Sequence, residues 1–207
     1  MSKSSLVSIF RRSNPETPTS QKITYTLNPD STVATTTFTC TTSATLPSYH
    51  IPSSLTTKLP SITLFSTDAG DGSSLPSYRE VYKIQRLPFV GYQLTGNPRA
   101  QVHVSGNRHK SEVHLYSSVD GLVNGGEDRA TMKLRKNVII DSVTGKELAT
   151  MFEYKTGGDK TLRALELTEG VGDSEKRRDL IVGLWAIYMW NLELHARTAP
   201  GSLGKLI

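Results

Sequence analysis

Between Ile23 and Leu167 the chain repeats one pattern. Short runs of β-branched and aromatic residues alternate with polar ones, and turn residues separate the runs. "KITYTL" (22–27) and "TVATTTFTCTT" (32–42) read as strands. So do "REVYKIQRL" (79–87), "AQVHV" (100–104), "SEVHLY" (111–116), "ATMKLR" (130–135), "NVIID" (137–141), "KELATMFEY" (146–154) and "TLRALELT" (161–168). Gly-bearing turns follow at "GN" (106), "NGG" (124), "VTG" (143) and "TGGD" (156). Residues 43–78 are rich in Pro, Ser and Gly around one apolar run, "SITLF" (61–65), and are expected to be loop. Residues 1–20 are expected to form a disordered arm, and 199–207 a tail. A turn at Gly106-Asn107 would set Val104 opposite His109 and Val102 opposite Ser111. Val102, Val104, Val113 and Leu115 then share one face, with His103, Lys110, Glu112 and His114 on the other.

"EKRRDLIVGLWAIYMWNLELHAR" (175–197) breaks the pattern. Leu180–Trp190 holds no charged or strongly polar side chain. As a helix these residues cover roughly 16 Å, whereas a bilayer core needs about 20 residues for ~30 Å. A surface amphipathic helix would need a basic polar face, and the central turns have none. A helix apolar on every side must be covered on every side, and the chain offers almost only strands to cover it. The expected fold is therefore mainly β (α+β): a closed antiparallel β-barrel wrapped around one C-terminal hydrophobic α-helix. A single domain over 21–198 would hold that helix at about 175–197. Asp173 or Ser174 would cap it, while Lys176, Arg177 and Arg178 would sit at a wet mouth.

Composition adds bounds. The 207 residues suit one core. Lys plus Arg exceed Asp plus Glu by 24 − 19 = +5, which permits attraction to phosphate groups without requiring it. Cys40 is the single cysteine, so neither an intrachain disulfide nor a Cys-based zinc site can form. No Asn begins an N-x-Ser/Thr sequon, the first 20 residues lack an apolar run of signal-peptide length, and residue 2 is Ser. An intracellular protein, cytoplasmic or peripheral to a membrane, is expected.

The hairpin "NVIIDSVTGKELATMFEY", followed by "TLRALEL" and "RRDLIVGLWAIYMW", resembles the superfamily of Tubby C-terminal domains, LURP-one-related proteins and phospholipid scramblases. Size and the late helix look most like short fungal members. The resemblance covers roughly residues 22–197. It implies a barrel that binds phosphoinositide head groups through basic side chains on its wall. Lys133, Arg135 and Lys136 in "MKLRKN" are the candidates, with Met132 and Leu134 on the opposite face. The dense basic run of lipid-binding members is absent, as are the membrane span and metal-binding segment of scramblases.

No catalytic signature is present: no G-x-S-x-G, P-loop, H-E-x-x-H or G-x-G-x-x-G. Cys40 reads as a small buried filler. In the register above, His103 and His114 stand about 13 Å apart, too far to share a metal. "TDAGDG" (67–72) lacks calcium-loop spacing. No catalytic residue, metal or cofactor is expected, and no nucleic acid. One motif remains. "LPSY" occurs at 46–49 and 75–78, and the second copy resembles the PPxY ligands of WW domains. Leu75, Pro76 and Tyr78 would then recruit a WW-domain partner. The expected function is a non-catalytic binding or scaffold module with weak anionic-lipid affinity. The alternative is an adaptor for WW domains, and a hydrolase without a recognised motif is a distant third.

Overall fold

The structure, a computed structural model, describes residues 22–28, 35–55, 59–67, 77–88, 91–97, 99–104, 110–116, 132–155 and 161–196. The arm, the tail and three of the four turns named above (106, 124 and 156) lie outside them.

The described residues form twelve strands and one helix. The strands are β1 (Ile23–Asn28), β2 (Thr36–Cys40), β3 (Ser48–Ile51), β4 (Ser61–Thr67), β5 (Tyr78–Leu87) and β6 (Gly91–Gly96). β7 (Arg99–Val104), β8 (Lys110–Tyr116), β9 (Met132–Arg135), β10 (Val138–Asp141), β11 (Glu147–Lys155) and β12 (Thr161–Leu167) follow, then α1 (Glu175–Ala196). Each strand pairs antiparallel with its neighbours in sequence, and β1 takes β2 on one edge and β12 on the other, a closed barrel. Ile23↔Leu167 and Leu27↔Arg163 bracket the β1–β12 ladder.

Alternation decides which side chains enter. In β4, Ile62, Leu64 and Ser66 are buried while Ser61, Thr63, Phe65 and Thr67 are half-buried. In β3, Tyr49 and Ile51 are buried between Ser48 and His50. Both strands fall in the segment expected to be loop. Their polar positions are hydroxyls and one His, so the alternation has little hydropathy contrast to reveal it. β6, "GYQLTG", escaped notice for a related reason: two apolar residues among glycines make a weak signal, yet Tyr92 and Leu94 are buried.

The β7–β8 ladder corrects the expected register. Val104 pairs with Ser111 and Val102 with Val113. The connection holds two more residues than a tight turn at 106–107 would. A shift of two preserves the faces, because side chains alternate with period two. His103 stands opposite Glu112 and His114 opposite Gln101, so these histidines are diagonal neighbours about 7–8 Å apart.

Two turns have their own chemistry. Asp141 Oδ1 accepts the N–H groups of Val143 and Thr144, each at 2.9 Å, and Gly145 follows at φ 70°, where a Cβ is disfavoured. The Thr144 N–H bond holds the Asp141 carboxyl below its usual range against a small effect of burial, helped by the Val143 N–H and the charge of Arg177. Between β9 and β10 only Lys136 and Asn137 intervene, and Lys136 takes φ 55°, uncommon for a residue with a Cβ. The Asn137 amide steadies this turn by donating to the Met151 carbonyl at 2.9 Å.

α1 supplies the centre of the core. From Leu180 to Trp190 every residue is buried except Tyr188, which is half-buried. Trp185 meets Phe38 of β2 at 5.0 Å between ring centroids, and Trp190 meets Tyr92 of β6 at 5.5 Å. Gly183 leaves room for close approach: a Cβ there would lie 3.2 Å from Tyr82 and 3.3 Å from Leu94. Cys40 is half-buried at the margin of this core, more open than the filler expected.

Trp185→Ala should destabilise the chain by about 3–5 kcal/mol, a large share of a typical ~5–15 kcal/mol margin. Urea unfolding measures it; a loss below about 1 kcal/mol would show that the helix is not the centre of the core.

Candidate functional site: a buried polar cluster and a basic outer wall

At the end of the barrel where α1 begins, charge enters the core. Arg178 and Asp179 are 7% and 3% exposed. Arg178 was expected at a wet mouth beside Lys176 and Arg177. Those two are exposed, but one further step around the helix turns Arg178 inward. A buried charge must find partners, and both residues do. Arg178 Nε donates to Tyr49 Oη at 3.2 Å and Nη1 donates to the Gly172 carbonyl at 3.0 Å. Tyr49 Oη donates in turn to Asp179 Oδ1 at 2.6 Å. Arg79, at the start of β5, reaches Asp179 Oδ2 at 3.0 Å and Glu175 Oε1 at 2.7 Å.

The electrostatics follow from this geometry. Burial works against the Arg178 charge, but the hydrogen bond to Tyr49 and the nearby Asp179 carboxylate favour it, so its affinity for the proton rises. Burial pushes the Tyr49 hydroxyl far above its ordinary range, and the neighbouring Asp179 carboxylate pushes the same way. Tyr49 is therefore a fixed neutral donor and no nucleophile. The cluster joins β3, β5 and the first turns of α1 through side chains 100 or more residues apart in sequence.

At the opposite end a second clasp repeats the logic in wetter surroundings. Arg163 of β12 contacts Glu153 of β11 at 2.9 Å and Glu193 of α1 at 2.7 Å. These groups are about one-third exposed or more, so solvent screens them and their contribution to stability is small.

The basic candidates lie on the outer wall. Met132 and Leu134 are buried, Lys133 is half-buried, and Arg135 and Lys136 are exposed. Lys110 occupies the register position opposite Arg135, while Glu112 occupies the one opposite Lys133. Asp141 pairs with Met132, next to Lys133. Arg177 influences Asp141 at one end of β10, and Lys136 follows the other end of that ladder.

The two "LPSY" copies separate. Tyr49 of the first is fully buried in the cluster. Tyr78 of the second opens β5, is 59% exposed, and lies 5.9 Å from the His50 ring. Leu75 and Pro76 lie outside the described residues. Among the described residues no group of three His, Cys, Asp or Glu is placed to hold a metal, and no helix is long and apolar enough to cross a membrane.

Sequence reasoning missed Tyr49, Arg79 and Asp179. The available signal was "RRDL" itself: a charged pair running directly into an apolar helix must be either the mouth or a buried pair. Compared with family models, curated proteins and solved structures, the chain finds no match.

Asp179→Ala should cost about 3–5 kcal/mol, because it leaves Arg178 and Tyr49 buried with half their network gone. Arg177→Ala, exposed on the same turn, should change stability by less than about 0.5 kcal/mol. Thermal or urea unfolding of the pair measures both; equal losses would show that the cluster is not a unit.

Proposed function

We propose that the chain is a non-catalytic binding module of the Tubby, LURP-one and scramblase type, and that its outer wall at Lys133, Arg135 and Lys136 meets anionic lipid head groups. The observation that carries this reading is the alternation in β9. Burial of Met132 and Leu134 turns the intervening basic residues outward, and the β9–β10 turn holds Lys136 at the tip beside them. The resemblance implies antiparallel strands around one apolar C-terminal helix, and the twelve strands and late helix are consistent with it. The buried polar cluster supports a structural role, since its tyrosine is too weak an acid to act as a nucleophile.

The expected affinity is small. Each basic residue near an anionic surface contributes about 1 kcal/mol, and salt screens it over roughly 8–10 Å. Arg135 and Lys136 are exposed and Lys133 is half-buried, so the first two carry most of the attraction. Liposomes carrying phosphoinositide should sediment the protein at low salt and release it as salt rises. The Lys133→Ala/Arg135→Ala double variant should lose most of that binding. No sedimentation at low salt, or equal sedimentation of the variant, removes the proposal.

The exposure of Tyr78 favours a second reading, an adaptor recruited by WW domains. A peptide spanning residues 73–81 should bind a WW domain in a fluorescence titration, and its Tyr78→Ala form should not. Equal binding by both peptides rejects this reading.

A further inference from the structure

Three hydroxyls around the buried cluster have no hydrogen-bond partner. Ser66 Oγ and Tyr82 Oη are enclosed, and so is Tyr25 Oη, which lies beside Tyr49 Oη without closing a hydrogen bond of acceptable geometry. All three residues are 0% exposed. The three share a neighbourhood. Ser66 stands in register between Tyr49 of β3 and Arg79 of β5, the two residues bonded to Asp179. Burial makes the Tyr25 and Tyr82 hydroxyls weaker acids than usual, and both also feel the Asp179 charge. The Tyr82 ring packs against Gly183, one helical turn beyond Asp179, and its hydroxyl feels the charges of both Asp179 and Arg79.

A buried hydroxyl without a partner is costly, and folded proteins leave few of them. The Asp179 carboxylate can accept about four hydrogen bonds, and two are used, by Tyr49 and Arg79. Donors without acceptors therefore lie in the neighbourhood of an acceptor with free lone pairs, with no direct hydrogen bond between them. A molecule that both donates and accepts, and is small enough to be enclosed, completes the arrangement. Water meets those requirements, needing only two to four polar partners.

We infer that the start of α1 encloses a structural hydration site. One or more ordered waters accept from Ser66 and Tyr82, with Tyr25 as a third donor, and donate to the free lone pairs of Asp179. The waters extend the Arg79–Asp179–Tyr49–Arg178 network and fix the depth at which the helix sits in the barrel.

Tyr82→Phe and Ser66→Ala keep the packing and remove one hydroxyl each, so they separate a bridged hydroxyl from an orphaned one by sign. A bridged hydroxyl makes each variant less stable, with a folding equilibrium constant lower by about threefold to tenfold. The double variant should then lose less than the product of the two factors, because both remove support from the same water. An orphaned hydroxyl gives the opposite result: each variant is as stable as the parent or more stable, and the inference fails. Crystals of the full chain, diffracting far enough to show ordered water, give the direct readout. Density for water between Tyr82 Oη and Asp179 supports the site. Empty space there, or density for a larger molecule, overturns it.

Discussion

The structure depends on one constraint. An α-helix that is apolar on every side cannot face water anywhere along its central turns, so its cover must extend all the way around it. A layer of strands on one side would leave Trp185 or Trp190 wet, whereas paired strands on all sides bury both. The same arrangement removes unpaired strand edges, which would otherwise invite association. The helix and the sheet therefore solve each other's problem. This is why strands as short as four residues, β3, β9 and β10, hold their places without strong hydropathy patterns of their own.

Hydrophobic cover is non-directional and would allow the helix to slide or rotate within the barrel. Directional contacts at its two ends oppose that freedom. Asp179 and Arg178 tie the first turns to β3, β5 and the segment before the helix, and Glu193 ties the last turns to β12. The two ends differ in weight. The first clasp is enclosed, where an unmatched charge is costly and misplacement is strongly penalised. The second is open to solvent and screened. Specification of the helix position thus rests mainly on the buried end.

The outer wall is organised by the inner one. Lys133 and Arg135 face outward because Met132 and Leu134 must face inward, so the basic outer face of β9 is a by-product of packing the core. Its neighbours are then set by register. Glu112 and Lys110 hold the register positions across from Lys133 and Arg135.

By itself the sequence determined the presence and extent of the helix, because eleven consecutive apolar residues leave few alternatives. It also determined most strands with strong alternation and the outward direction of Lys133 and Arg135. These are local properties, set by periods of two and 3.6 residues. It did not reveal β3, β4 or β6, where Ser, Thr and Gly dilute the pattern, and it misjudged the β7–β8 register by two residues because hydropathy fixes only the parity of a pairing. Only the tertiary structure decided that Arg178 turns inward, that Tyr49 of one "LPSY" copy is buried while Tyr78 of the other is exposed, and that Arg79 meets Asp179. Those outcomes join residues 100 or more positions apart, and their energies arise from desolvation and charge pairing that exist only once the chain has enclosed them.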